Sequence, residues 1–249
     1  MELLTTFNLI LIASIAISAL IQGSIGVGFL MLATPLLATF TDLKTAIIYL
    51  LIPAIVINIM SILKEGSFKE AFLKFYKLAL FSLIGSAIGT YILLYTDSDI
   101  FKILLVFSIL FYLFFNKFNI KFTWIYEKKT FSRMFFGLIT GLLGGLTNVM
   151  SASLLIYTLE SKFTKKETIQ AANLCFLSSK IIQIILFSYY GYITNEVINI
   201  SIFSVIATII FVYFGFKIKD KISQELYNKI IRVVLLIIAF ILIFKLIFP

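Results

Sequence analysis

Long, unbroken runs of apolar residues leave this chain very few ways to fold. In lipid the backbone N–H and C=O groups have no water with which to form hydrogen bonds, so a spanning chain must form helices or a closed barrel. Barrel strands are short and alternate in polarity, whereas these runs stay apolar over about 20 residues. The sequence therefore predicts an all-α polytopic integral membrane protein. The apolar blocks lie near residues 3–21, 28–41, 45–63, 71–95, 100–116, 131–143, 146–159, 168–189, 196–216 and 226–248.

Composition and charge exclude the other broad classes of protein. Only 13% of the 249 residues are charged and the mean hydropathy is +1.09, whereas a soluble domain has about 25% charged residues. The net charge of +9 does not indicate nucleic-acid binding, because the basic residues lie in short gaps between apolar runs. With no histidine and one cysteine, Cys175, the chain lacks the usual soft-metal and haem ligands, and we expect no metal or cofactor. The run 3–21 has neither a preceding basic region nor a cleavage site, which favours a retained helix over a signal peptide.

Two glycine-rich stretches, at residues 22–28 and 137–148, interrupt the apolar runs. One interpretation is close helix packing through small residues. The other is a broken or re-entrant helix whose free backbone N–H groups face a cavity. Because the two stretches occupy corresponding positions in the chain, we favour the broken helix.

The correspondence comes from an internal repeat. Residues 84–91 and the polar turn at 96–102 resemble residues 210–215 and the turn at 222–228, at an offset of 126 residues. Duplication is the favoured explanation, with chance similarity between two apolar halves as the alternative. The sequence thus predicts a first transmembrane repeat over 1–118, a cytoplasmic linker over 119–130 and a second repeat over 131–249.

The distribution of basic residues predicts how the halves are oriented. If each glycine-rich stretch were a straight pass, there would be eight helices, with nine basic residues on one side and ten on the other. If each stretch reverses the chain, ten segments place seventeen basic residues on one side and only Lys44, Lys102 and Lys245 on the other. The second arrangement obeys the positive-inside rule. Five segments per half is an odd number, so we expect inverted repeats. The seventeen lie in the loops 64–77, 117–133, 162–166 and 217–232.

In both halves the sequence resembles the sulfite exporter TauE/SafE family of membrane proteins. The resemblance rests on the glycine-rich openings at 23–29 and 141–145, and on the glycine-containing helices that lead to a polar turn, at 85–102 and 215–228. It implies a membrane permease that moves sulfite, organosulfonates or other small organic anions. The first opening reads Gly26-Val27-Gly28, where three successive glycines are common in the family.

One charged residue, Lys180, lies near the middle of an apolar run. A lysine at the bilayer centre costs several kcal/mol on insertion scales, about 3 by one measure. One interpretation is structural: the lysine extends its amine toward the membrane surface, loses its charge or caps backbone carbonyl groups. The other, which we favour, is that Lys180 is the counter-charge for an anionic substrate. Residues three and four apart share a helix face, and the backbone N–H groups at a helix N-terminus favour anions. The candidate substrate-binding residues are Gln22, Ser24, Gly26, Gly144, Thr147, Asn148, Asn173, Ser179, Lys180 and Gln183.

These features favour a potential-driven anion exporter in a prokaryotic plasma membrane. All twelve acidic residues lie in loops or at segment ends, so the side chains of a proton relay are missing. The alternatives are a transporter that takes up a small organic anion together with a coupled ion, a membrane protein that does not transport, and an intramembrane enzyme. No nucleophile with a base and no phosphate-binding loop is recognisable, so we do not expect an enzyme. The expected partners are a small anionic substrate, the lipid bilayer and, as an open question, further copies of the chain.

Overall fold

The computed structural model describes residues 5–97, 100–114, 123–219 and 224–247. Within these ranges every regular element is a helix and no strand is present. The predicted all-α architecture is confirmed. The helices are α1 (Thr6–Ile25), α2 (Phe29–Ala38), α3 (Leu43–Glu65), α4 (Phe68–Tyr95), α5 (Ile100–Phe114), α6 (Thr123–Glu127), α7 (Lys129–Thr147), α8 (Ser151–Glu160), α9 (Lys165–Tyr189), α10 (Asn195–Ile218) and α11 (Gln224–Ile247).

Five of these helices, α1, α3, α4, α9 and α10, are long and apolar enough to cross a membrane. Large apolar side chains project from the outside of the bundle; Leu80 on α4 is 52% exposed and Ile206 on α10 is 51% exposed. Soluble proteins rarely expose apolar surface so widely, whereas lipid solvates it. Leu50, Leu51 and Ile57 of α3 are fully buried in the core, so α3 runs through the interior.

Polar residues in the gaps between apolar runs start the long helices. Asp42 accepts a hydrogen bond from the backbone N–H of Thr45 at the start of α3. Thr164 forms a capping box with Glu167 at the start of α9. Such caps satisfy N–H groups that the first helical turn leaves without partners. The gaps therefore fix where each helix begins.

The helices follow the same order in both parts of the chain. A first helix (α1 or α7) precedes a helix of ten residues (α2 or α8), and two long helices and a last helix complete each series. The short α6 lies inside the predicted linker 119–130, and α7 already begins at Lys129. Residues 119–122 lie outside the described residues.

Helices of one half pack reciprocally on helices of the other. The first helix of each half packs on the fourth of the other, in the pairs α1–α10 and α7–α4. Gly23 faces Gly215 in one pair and Gly145 faces Gly89 in the other, and a Cβ atom at any of the four would clash with the facing backbone. The third helices pack on each other and on the opposite fourth helix, and the fifth helices α5 and α11 pack together. The two halves therefore interlock rather than stand side by side.

Both glycine-rich stretches are helical over most of their length. The first helix of each half continues until one residue with a left-handed backbone ends it: Gly26, with φ 98°, after α1 and Asn148, with φ 66°, after α7. Gly137, Gly141 and Gly145 face α4 inside the continuous α7. Close packing therefore explains the glycines within the helices, and the breaks are confined to the residues that follow them.

Charged side chains from several loops meet at one end of the bundle, which we call the basic end. Lys219 pairs with Glu65, and Lys166 pairs with Glu70 at 2.9 Å. Lys74 likewise pairs with Glu167. These pairs join the end of α3 and the start of α4 to the start of α9 and the end of α10. The ammonium group of Lys162 lies 5.2 Å from the ring centroid of Tyr126, which places α6 at the same end.

A different set of contacts marks the opposite end. The ammonium group of Lys44, at the start of α3, donates to the carbonyl oxygen of Leu94 at 3.4 Å and lies 5.4 Å from the ring centroid of Tyr192, just after α9. Lys245 of α11 donates to the carbonyl oxygen of Thr39, just after α2. Since α3 starts where α9 ends, and ends where α9 starts, the two helices run antiparallel.

Candidate functional site

Lys180 lies in the middle part of α9 and is completely buried, with 0% of its surface exposed. It is the only buried charged side chain among the described residues. Its ammonium group donates hydrogen bonds to Asn148 Oδ1 and Gln183 Oε1. Both acceptors are neutral amide oxygens, so neither supplies a counter-charge to this lysine.

Asn148 ties this lysine to the break after α7. Its backbone N–H donates to the carbonyl oxygen of Gly144 at 3.0 Å, which closes the helix. Its side-chain Nδ2 donates to Thr34 Oγ1 of α2 at 3.0 Å. Gln183 Nε2 lies 3.5 Å from the carbonyl oxygen of Gly144, where it caps the end of α7. We call Thr34, Gly144, Asn148, Lys180 and Gln183 the lysine cluster.

A second polar group lies at the break after α1, and we call it the amide cluster. Gln22 Nε2 donates to Asn173 Oδ1 at 2.9 Å and to Ser61 Oγ at 3.1 Å. Asn58 Oδ1 lies 3.5 Å from the same nitrogen. These four side chains come from α1, α3 and α9, and all are at most 1% exposed. The cluster contains no charged group.

The amide cluster also holds the backbone on both sides of its break. Gln22 Oε1 accepts a hydrogen bond from the backbone N–H of Phe29, the first residue of α2, at 2.8 Å. Asn173 Nδ2 donates to the carbonyl oxygen of Gly26 at 2.7 Å. Backbone groups that the break would leave without partners are thus satisfied by side chains, as they must be away from water.

The structure divides the sequence-predicted site residues into three sets. Asn148, Gly144, Lys180 and Gln183 lie in the lysine cluster, whereas Gln22, Gly26 and Asn173 lie in or against the amide cluster. The remaining three hydroxyls serve helix backbones or helix contacts. Ser24 Oγ donates to the carbonyl oxygen of Leu20 and Thr147 Oγ1 to that of Leu143, and Ser179 Oγ lies 2.7 Å from Ser86 Oγ.

Three site residues were not selected from the sequence: Thr34, Asn58 and Ser61. A signal for Asn58 exists in the repeat, because the alignment of the halves places Lys180 near residues 57 and 58. Ser61 follows one helical turn later on the same face of α3, as Gln183 follows Lys180 on α9. Thr34 lies in an apolar run, and its role depends on a contact between the halves that no local pattern indicates.

The chemistry of both clusters suits an oxyanion. An ammonium group, amide N–H groups and hydroxyls donate to oxygen, and no carboxylate is buried among the described residues to compete with the anion. Among the residues that the structure describes, no group of three or more His, Cys, Asp or Glu side chains is arranged to hold a metal ion.

Comparison with known proteins identifies the family. The family model described as sulfite exporter TauE/SafE matches residues 10–242 of the 249-residue chain. No curated protein and no solved structure matches the chain. The family match includes both breaks, both clusters, most of α1 and the whole of the other four long apolar helices. The chain therefore belongs to the sulfite exporter TauE/SafE family.

Proposed function

We propose that the protein exports sulfite or a small organosulfonate across the cell membrane, driven by the membrane potential. Its family is one of membrane transporters of sulfur anions, not of enzymes. The observation that carries the proposal is Lys180, a buried cation among neutral hydrogen-bonding groups. A buried charge without a counter-charge costs several kcal/mol, on the order of 3 to 5 where a buried pair is broken. A bound anion offsets that cost.

The lysine cluster is the proposed substrate site. The ammonium group supplies charge, and Asn148 and Gln183 orient it by accepting two of its hydrogen bonds. The third N–H bond of the ammonium group remains for an anion oxygen. Asn148 Nδ2 donates one of its two hydrogens to Thr34, so its second hydrogen is a further donor on the same side chain. Charge-assisted hydrogen bonds of this kind are about twice as strong as neutral ones.

The proposed topology is a pair of inverted repeats with the basic end in the cytoplasm. It is supported by the antiparallel course of α3 and α9 and by the contacts that gather the loops after α3, α8 and α10 at one end. The segments 64–77, 162–166 and 217–232, which contain these loops and the adjoining helix turns, carry twelve of the 21 basic residues, and basic segments beside membrane helices stay on the cytoplasmic side. The predicted halves 1–118 and 131–249 follow from the same arrangement.

The membrane potential supplies the proposed driving force. A cell interior is negative, and moving one charge through 100 mV releases about 2.3 kcal/mol. An anion can therefore leave without a coupled ion. No carboxylate is buried among the described residues, which supports transport without a carboxylate proton carrier in the site.

Flux into liposomes tests the proposal directly. Purified protein is reconstituted, and a potassium diffusion potential is imposed with pH and sodium equal on both sides. We expect radiolabelled sulfite or methanesulfonate to move toward the positive side. Flux that requires a proton or sodium gradient would contradict potential-driven export and favour ion-coupled uptake. Absence of flux for both anions would contradict the proposed function itself.

A further inference from the structure

We infer that the amide cluster is a second, uncharged binding station for the transported anion, separate from Lys180. The inference rests on the proposed function, because it assigns the anion a second stopping point on the same path. It adds Asn58 and Ser61 to the residues that contact substrate.

The two clusters occupy equivalent places in the two halves. Asn58 and Lys180 each lie sixteen residues beyond the N-cap of their helix, Asp42 for α3 and Thr164 for α9. Each side chain reaches the first helix of its own half near its break, Asn58 at Gln22 and Lys180 at Asn148. What distinguishes them is charge: one position carries an amide and the other an ammonium group.

An unpartnered donor indicates that the amide cluster takes a ligand. Asn58 is 1% exposed, yet its Nδ2 has no hydrogen-bond partner. A buried N–H group without a partner is unfavourable, so an acceptor that fills the position is favoured. Ser61 accepts from Gln22 and therefore keeps its own proton to donate. Both groups are donors, and an oxyanion supplies the acceptors they lack.

The rest of the cluster leaves little room for another role. The amide nitrogen and the amide oxygen of Gln22 both form hydrogen bonds, and so do those of Asn173. Only Asn58 Nδ2 departs from this pattern within the cluster. Native proteins leave only a few buried polar atoms without partners, so the open position beside Asn58 Nδ2 calls for an acceptor.

The stations lie at different depths. Gln22 contacts both Asn58 and Asn173, so the amide cluster lies at the level of Asn173. Lys180 is seven residues further along α9, which is about 10 Å at 1.5 Å per residue. The basic end lies on the side of Asn173, since α9 starts there. The buried side chains of Phe176 and Leu177 lie between the two levels.

A further unpartnered amide continues this line toward the basic end. Gln170 Nε2 is buried without a partner, and Gln170 lies three residues before Asn173. Residues 170, 173, 180 and 183 share one face of α9 at helical spacing. The polar face thus leads from the basic end through the uncharged station to Lys180.

Separate measurements of binding and flux test the inference. Asn58→Leu removes the amide at nearly constant volume, and Ser204→Ala removes a buried, unpartnered hydroxyl on α10 as a matched control. Reconstituted protein is assayed for flux of radiolabelled sulfite, and detergent-purified protein for sulfite binding by equilibrium dialysis. We expect Asn58→Leu to lose about tenfold to a hundredfold in flux, as for a lost hydrogen bond to a charged group, while high-affinity binding at Lys180 remains. Ser204→Ala should change neither.

Two outcomes would overturn the second station. Wild-type flux in Asn58→Leu would show that the anion does not use the amide. Joint loss of flux and binding in a folded variant would place Asn58 in the Lys180 site. If Asn58→Leu does not accumulate, Asn58→Ala is assayed in the same way. Absence of sulfite flux in the wild-type protein would instead contradict the proposed function.

Discussion

The ammonium group of Lys180 donates a hydrogen bond to the side chain of Asn148, the residue whose left-handed backbone ends α7. The only buried charge in the described part of the chain is therefore attached to the place where a helix stops. Charge and break form one unit, so a change at either residue should alter transport.

Replacement of Lys180 by methionine should abolish most transport without unfolding the protein. The variant keeps the length and apolarity of the side chain but removes a charge that is costly in the membrane, so it should insert at least as well. We expect sulfite flux to fall about tenfold or more, because a charge-assisted hydrogen bond to the anion is lost.

Two companion variants separate charge from structure at this position. Lys180→Arg should keep part of the flux, since the charge remains although the planar guanidinium group differs in shape. Lys165→Met, at the exposed start of the same helix, should transport normally. Normal flux in Lys180→Met, measured at equal membrane abundance, would mean that the lysine has a structural role only.

The left-handed backbone of Asn148 allows its side chain to be tested apart from its conformation. Asn148→Gly keeps φ near 66° at no steric cost but removes both amide contacts, so it should accumulate normally and transport poorly. Asn148→Ala should show the same loss of transport and in addition be less stable by about 1 to 2 kcal/mol. Thermal unfolding in detergent and liposome flux measure the two effects, and equal stability of the two variants would contradict the backbone argument.

Glycine at position 141 should be required for the contact between α4 and α7. A Cβ atom there would meet the carbonyl oxygen of Ser82, so Gly141→Ala should push the helices apart and destabilise the protein by about 1 to 3 kcal/mol. Leu80→Ala, on the lipid-facing side of α4, is the control and should have a much smaller effect. An unfolding midpoint for Gly141→Ala equal to that of the wild-type protein would argue against the tight contact.

Cysteine labelling in intact cells checks the topology. In a Cys175→Ala background, cysteines at Lys69, Lys165 and Lys217 should react only with reagents that enter the cytoplasm, because all three positions belong to the basic end. Cysteines at Thr41 and Tyr189, at the other end of the bundle, should react from outside. Labelling of positions 69 and 217 from opposite sides would contradict the inverted arrangement.

Much of the fold could be predicted because membrane helices are encoded locally. Continuous apolar runs predict α-helices wherever they occur, and the structure confirms helices in every described part of the chain. The glycine-rich stretch 137–148 was harder to interpret, because glycines four residues apart suit a helix break and a helix contact equally well. Only the position of α4 shows that Gly141 and Gly145 face a neighbour. The inverted orientation stays a prediction, and the charge contacts at the basic end support it.

The candidate site was predictable only within single helices. Spacing along α9 places Asn173, Lys180 and Gln183 on one face, and each of them joins a polar cluster. The expectation that Ser24 and Thr147 lie beside the anion stays a prediction; in the structure their hydroxyls donate to carbonyl oxygens four residues earlier. Hydroxyls in apolar surroundings take the nearest acceptor. Thr34 could not be assigned, since its partner Asn148 comes from a distant part of the chain, whereas only the repeat indicates Asn58.

The reciprocal packing of α1 on α10 and of α7 on α4 affects how the protein is made. When the first half leaves the ribosome, Gly23 and Gly89 present bare backbone whose partners, Gly215 and Gly145, have not been synthesised. The first five helices therefore lie in the bilayer without these packing partners until the second half is inserted. A chain truncated after its first five helices therefore leaves Gly23 and Gly89 without the helices on which they pack.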